Sequence, residues 1–453
     1  MREYLLTLFV SAAVTYLLTG AVRRFAIAAG AMPEIRARDV HKEPTPRLGG
    51  MAMFGGLCAG LLIARHLPGM EVVFTGSTDV QALLSGCALI CLLGVVDDKW
   101  GVDAIIKLLG QALAAGVMVW QGIVILWLPI PGQGTVSLTP TQGAILTIAV
   151  VVITINAVNF VDGLDGLAAG MVCIAAVAFF AYAYRLWFGY GIEGAAAPTM
   201  FTALLIGICA GFLPHNLHPA RIFMGDSGSM LIGLMLAAAA ITLTGRLDPE
   251  VIAAQAGSET FATHKLVPVY IPLVLPFAVL IVPLIDLVMA VTRRGWAGRS
   301  PFAADKGHLH HRLLEIGHSH SRAVLIMYFW SGLIASFTVL ISVRPDRRPI
   351  VYAGLGFIAL GLLVLMLPWF RPRVPKTLHG VVPPRYRGRG RRRARDVADS
   401  AGSADGSVIT AADEHHRATA EHGQQPWRGS ESGTQPGSAP VSGTRSRSQS
   451  PLL

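Results

Sequence analysis

Residues 144–183 read AILTIAVVVITINAVNFVDGLDGLAAGMVCIAAVAFFAYA. Two apolar runs, Ala144–Ile155 and Leu167–Ala183, flank a polar interruption. Each run approaches the ~20 residues that a helix needs to cross a bilayer, the shorter extending into its polar flank. Within the interruption Asn156, Asn159, Asp162 and Asp165 recur every three residues. At roughly 100° per residue, each step of three drifts back by about 60°. The first three can share one helical face, whereas Asp165 joins them only if the helix tightens or unwinds. Gly163 and Gly166 supply the place to break it. Non-helical backbone at membrane depth is tolerated where it lines a cavity. The stretch therefore predicts two spans joined by a break that presents amides and carboxylates to a cavity.

The same apolar signal recurs along the chain, at Tyr4–Thr19, Gly49–Ala64, Val80–Val96, Leu108–Ile130, Met200–Leu213, Met230–Leu243, Leu266–Val291, Val324–Val343 and Ile350–Phe370. The whole predicts an all-α polytopic integral membrane protein with about eleven transmembrane helices. Hydrophobic residues make up 53% of the 453 and charged residues only 14%, against the roughly 25% charged of a soluble domain. A large soluble core would alternate with charged faces, which these runs lack. The five cysteines all lie inside apolar runs without disulfide or metal spacing and read as packing.

Lysine and arginine set the expected orientation. The loop with Arg23, Arg24, Arg36, Arg38, Lys42 and Arg47 and the loop from Arg293 to Arg322 are basic, while residues 67–78, 131–142 and 188–199 carry no Lys or Arg. The basic loops are expected in the cytoplasm. Arg23 and Arg24 follow the first apolar run instead of preceding it, which fits a retained helix better than a cleaved signal. Residues 1–370 are read as a transmembrane catalytic domain. Residues 371–453, rich in Arg, Ser, Gly and Pro, are read as a disordered basic cytoplasmic tail. The net charge of +10 is explained by these loops and the tail, with anionic membrane lipid and no nucleic acid as the expected partner.

The polar residues gather in five clusters. Asp97 and Asp98 stand side by side at the end of the third run, where adjacent carboxylates call for a cation or a proton. Lys107 and Gln111 follow at i, i+4 spacing and can face the same pocket. The break at 156–166 is the second cluster. The third runs from His215 and Asn216 to Phe223-Met224-Gly225-Asp226-Ser227-Gly228-Ser229. Its serines can cap the next helix, and a carboxylate at a helix start beside phosphate groups suits Mg²⁺. The fourth holds His308, His310 and His311 with Lys306 and Arg312, a basic set suited to an anion. Their spacing does not place three imidazoles on one helix face, which disfavours zinc. His318 and His320 read as surface residues. The fifth, His41-Lys42-Glu43-Pro44-Thr45-Pro46-Arg47-Leu48-Gly49-Gly50, is by itself only a basic loop.

Taken in chain order the five clusters, across roughly residues 40–330, resemble the polyprenyl-phosphate N-acetylhexosamine-1-phosphate transferase family. The resemblance implies transfer of a sugar 1-phosphate from a UDP-sugar to a polyprenyl phosphate, with release of UMP, at the cytoplasmic face of a bacterial inner membrane. It implies Mg²⁺, with Mn²⁺ as a substitute, and leaves a homodimer open. Asp226 matches the family's metal ligand, and Asp98 supports Asp97 or helps to hold the metal. Asp97 matches the residue that deprotonates or orients the lipid phosphate, and a covalent aspartyl intermediate stays open for this pair. Asn159, Asp162 and Asp165 match nucleotide-pocket positions, and Asn216 and Phe223 match uridine contacts. Lys107, His308, His310 and His311 are assigned to the phosphates.

The last loop, Asp305-Lys306-Gly307-His308-Leu309-His310-His311-Arg312, is similar to the branch that uses UDP-GlcNAc with undecaprenyl or decaprenyl phosphate. That branch starts O-antigen, teichoic acid or arabinogalactan linkers. The phospho-MurNAc-pentapeptide translocase branch has three consecutive histidines there, and a lysine where this chain has Gly101. A lipid-phosphate transporter is the rival from another class. Against it, the charged motifs all fall on one expected face and mark no path across the membrane.

Overall fold

The structure is a computed structural model, and it describes residues 1–31, 45–75, 77–130, 134–246 and 320–343, with isolated positions at 292, 352, 354–356 and 359. Chain contacts divide the protein into Met1–Pro372 and Arg373–Leu453. The second unit lies outside the described residues, as do the apolar run at 266–291, most of the run at 350–370, His308, His310 and His311.

The described elements are helical apart from one hairpin. In chain order the longer helices are α1 (Arg2–Ala28), α2 (Gly49–Arg65), α3 (Asp79–Trp100), α4 (Ala104–Trp120), α5 (Pro140–Val161), α6 (Leu167–Tyr184), α7 (Ala196–Asn216), α8 (Gly225–Arg246) and α9 (His320–Val343). Strands β1 (Trp127–Ile130) and β2 (Gly134–Ser137) pair antiparallel between α4 and α5. Among the described residues, seven helices are long and apolar enough to cross a membrane. An eighth span would count α2 together with Pro68–Phe74, which turns from it by 103°.

Helix starts follow local chemistry. Thr139 and Gln142 form a reciprocal capping box at the head of α5, with Pro140 as its first helical residue. Asp103 caps α4 by accepting the Ile105 N–H at 2.9 Å. Between α5 and α6 the chain leaves the helix at Asp162, and Gly166 takes a positive φ of 76° before α6 begins. The break expected from the three-residue spacing therefore falls where the glycines permit it.

Helix α8 is the axis of the bundle, with 94% of its apolar window buried, against 22% for α1 at the periphery. It packs against α2, α3, α5 and α7. Its small residues, Gly228, Ser229, Gly233 and the run Ala237–Ala240, let neighbours approach closely, the dominant packing device where lipid replaces water. A Cβ on Gly50 of α2 would stand 2.2 Å from the Gly228 nitrogen, and one on Gly94 of α3 would stand 2.3 Å from Ser227 Cα. Backbone meets backbone at the first turn of α8. At the far ends of α3 and α8, Arg246 pairs with the buried Asp79 at 2.9 Å. Large apolar side chains such as Leu17, Leu92, Leu113 and Trp120 face outward, as a lipid-facing surface requires.

Candidate active site

Four helix ends meet at the head of α8. Asp98, at the last turn of α3, directs both carboxylate oxygens at the first α8 amides. Its Oδ1 accepts the Asp226 N–H at 2.8 Å, and its Oδ2 accepts the Ser227 N–H at 3.1 Å and the Ser227 hydroxyl at 2.8 Å. The cap expected from Ser227 and Ser229 is thus supplied across the helix interface by a carboxylate. Its negative charge also complements the positive end of the α8 dipole. Ser227 donates to Asp98, and Ser229 donates to the Gly225 carbonyl at 3.0 Å.

Asp97 turns the other way. Its Oδ1 accepts the Val102 N–H at 2.7 Å, and its Oδ2 accepts from the Lys107 ammonium at 2.9 Å. Lys107, on the first turn of α4, also contacts Asp226 Oδ2. The remaining oxygen of Asp226, Oδ1, accepts from the Asn159 amide at 2.7 Å, and Asn159 also donates to Ser229 Oγ at 2.8 Å. Each acid therefore has one oxygen held by a neutral donor and the other converging on a single cation. Lys107, Asp97 and Asp226 keep 18%, 13% and 28% of their side-chain surface exposed, so the cluster is partly accessible to solvent. Behind it, the buried Gln111 accepts from Asn156 at 2.6 Å and donates to Met230 Sδ at 3.4 Å. The i, i+4 pair of α4 does face this pocket.

The basic loop of the fifth cluster is built into the site. Pro46 O accepts the Phe223 N–H at 2.9 Å, while Gly49 and Gly50 donate their N–H groups to Phe223 O and Met224 O at 3.0 Å each. This pairing aligns residues 46–50 with the approach to Asp226 and brings Arg47 into electrostatic reach of Asp98 and Asp162. His41, Lys42 and Glu43 lie outside the described residues. Asp162 sits in the break, and its carboxyl is pushed up to about 7. Burial is the main cause, with Asp98 and Asp165 adding to it and Arg47 opposing it.

Asp165 forms a second focus. Its Oδ2 accepts from His218 Nδ1 at 2.7 Å and from the Ala220 N–H at 3.2 Å. Its own N–H donates to His320 Nε2 at 3.0 Å, and the two imidazoles stack at 4.4 Å between centroids. His320, read from sequence as a surface residue, is 8% exposed. It is the first residue of α9 and packs into the break between α5 and α6. Among the described residues Asp165, His218 and His320 bring one ligand-capable atom each within 4.8 Å of one another. Asn216 is buried and spans the two loops, accepting the Gly166 N–H and donating to Ile222 O, both at 3.0 Å. Tyr328, on α9, donates to Gly166 O. The roles of His218, His320 and Tyr328 carry no local signal, because their partners lie far away in the chain.

Carboxylates, amides and a lysine converging at one end of a helical bundle define a polytopic membrane protein with a charged site at the head of its central helix. A family profile described as Glycosyl transferase family 4 matches residues 80–244, which include Asp97, Asp98, Lys107, the whole break and Asp226. The decaprenyl-phosphate N-acetylglucosaminephosphotransferase of Mycobacterium tuberculosis (strain CDC 1551 / Oshkosh) is 44% identical over 374 residues, 82% of this chain and 90% of that protein. The protein of the same name from Mycolicibacterium smegmatis is 46% identical over 74% of this chain and 81% of its own length. A Bacillus subtilis protein named "Probable undecaprenyl-phosphate N-acetylglucosaminyl 1-phosphate transferase" is 30% identical over 75% and 85%. The chain belongs to glycosyl transferase family 4, the family of polyprenyl-phosphate N-acetylhexosamine-1-phosphate transferases that its motifs resemble.

Proposed function

We propose that this chain transfers GlcNAc-1-phosphate from UDP-GlcNAc to a polyprenyl phosphate. The observation that carries the reading is the convergence of Asp97 and Asp226 on one cationic point, in a chain whose 44% and 46% identical relatives are named for this reaction. A lipid phosphate oxygen attacks the β-phosphorus of the sugar nucleotide, and the bond from that phosphorus to the bridging oxygen breaks. UMP leaves, and polyprenyl-diphosphate-GlcNAc remains. Decaprenyl phosphate is the acceptor in the name of the mycobacterial relatives, and we take it as the first acceptor to test.

Phosphoryl transfer needs charge neutralisation and alignment more than covalent help. The donor set at the head of α8 fits Mg²⁺, which prefers carboxylate oxygens together with substrate phosphates. The Lys107 ammonium between two such oxygens marks the place as one that accepts positive charge. Asp226 and Asp97 would hold the metal, which would neutralise charge on the diphosphate; Mn²⁺ suits the same donors. Asp98, with both oxygens committed to the α8 amides and the Ser227 hydroxyl, acts by aiming Asp226. Asn159 fixes the Asp226 rotamer. Asp97 orients the incoming lipid phosphate. Asp162 and Phe223 form the nucleotide side, the buried Asp165 and Asn216 hold the turn behind them, and Arg47 and Lys107 face the phosphates. We assign His308, His310 and His311, shortly before His320 in the chain, to the diphosphate. We assign this face to the cytoplasm and the protein to the bacterial plasma membrane, a reading supported by the Lys and Arg residues at 23–47 and 293–322.

Purified full-length protein with UDP-GlcNAc, decaprenyl phosphate and Mg²⁺ should release UMP and form a lipid-linked GlcNAc diphosphate. UDP-MurNAc-pentapeptide run in parallel should give neither. UMP formed only from the second donor would move the chain to the peptidoglycan branch, and none from either with folded protein would favour a transporter.

A further inference from the structure

Asp97 and Asp226 come from different helices, yet each points its Oδ2 at the same nitrogen. Their Oδ1 atoms are held in place by the Val102 N–H and the Asn159 amide. These neutral donors fix the seat whatever cation occupies it. The cation present is the chain's own. Lys107 is anchored on the first turn of α4, whose start is capped by Asp103, but its four-carbon stem is flexible. The side chain remains partly exposed, so the ammonium has somewhere to go.

We propose that Lys107 is a built-in counter-ion, which occupies the cation seat until a divalent ion displaces it and is thereby released toward the phosphates. The inference rests on the metal reading above and adds an exchange to it. A divalent ion bound at about 2.1 Å to a carboxylate oxygen cannot share that oxygen with an ammonium 2.9 Å away without the two like charges lying within ~5 Å. Exclusion follows from charge. The empty seat would leave two neighbouring carboxylates uncompensated, which the lysine prevents. The ion also sets the time of release, because Lys107 becomes available for an anionic ligand only when the seat is filled.

Manganese binding to the purified full chain without nucleotide, followed by electron paramagnetic resonance, tests the exchange. Lys107→Gln should bind Mn²⁺ at least about tenfold tighter than the wild type while turning over more slowly, a pairing that loss of a merely structural lysine would not produce. Lys107→Arg should bind no tighter than the wild type. Unchanged or weaker binding by Lys107→Gln overturns the proposal. Asp226→Asn separates the two readings. If it abolishes Mn²⁺ binding while Lys107→Gln fails to tighten it, the metal site stands and the exchange falls; if it changes nothing, both fall. Amine labelling of the wild-type protein, read by mass spectrometry, does not depend on any variant folding. Mg²⁺ should raise the labelling rate of Lys107, and a rate unchanged or lowered by Mg²⁺ overturns the exchange.

Discussion

Asp98 Oδ1 accepts the backbone N–H of Asp226 at 2.8 Å, so one acid of the site caps the helix that presents another. Asp98→Asn would turn an amide NH₂ toward either the Asp226 N–H or the Ser227 donors and remove the charge opposite the α8 dipole. We expect turnover to fall ~10²-fold, in line with the cost of losing one preorganised electrostatic contact. The thermal midpoint and the Mn²⁺ affinity should fall with it. Unchanged metal affinity and stability would instead place Asp98 in direct contact with substrate.

Asp226→Asn keeps the shape of the side chain and the Asp98 cap, which uses the backbone of residue 226. The variant should therefore remain folded while losing ~10²-fold or more in rate, because the carboxylate charge proposed to hold the metal is gone. UMP release and thermal melting on the same preparation check both halves. Wild-type turnover in this variant would sink the metal assignment.

Gly94 and Gly116 both lie in helices but have opposite surroundings. A Cβ at Gly94 would stand 2.3 Å from Ser227 Cα, whereas one at Gly116 meets nothing within 4 Å. Gly94→Ala should push α3 off α8 at a cost of about 1–3 kcal/mol and misalign Asp98 with the α8 amides. Gly116→Ala should be neutral or slightly stabilising. Similar melting behaviour of the two would contradict the backbone contact.

Asp162 gives a pH dependence of definite sign. Its folded pKa of about 7 lies above the ordinary 3.8, so the folded state holds the proton more tightly than the unfolded chain. The contribution is fully present below about pH 4, declines as pH rises and is lost above about pH 7. Asp162→Asn has no such titration. Its thermal midpoint minus that of the wild type should grow from pH 4 to 7 and then level off. A margin that shrinks over this range would mean that burial does not dominate the shift.

His320 accepts the Asp165 N–H through Nε2, and on the proposed assignment of Asp165 it supports the nucleotide side through that turn. His320→Ala should raise KM for UDP-GlcNAc several-fold while leaving Mn²⁺ binding unchanged. His320→Asn, which keeps an acceptor, should recover part of the loss. An effect on Mn²⁺ affinity as large as that on KM would show the two foci to be one site.

Much of this architecture is written locally. Crossing helices are legible because a span needs only a continuous apolar run, and the break after Asp162 because helical geometry cannot keep Asp165 on one face. The five ordered motifs pointed to the family for the same reason, since each is a short string whose chemistry travels with it. The division of labour within the site is not local. Asp97 and Asp98 are adjacent and chemically identical, and only the approach of α8, 128 residues further on, commits one to a cap and leaves the other facing Lys107. The loop at Arg47 looked like an ordinary basic loop until its backbone paired with Phe223 and Met224. His320 reads as a surface residue in the sequence because its partner is 155 residues away. A hydrogen bond between distant segments leaves no periodicity in either, so those assignments waited on the packing of the helices.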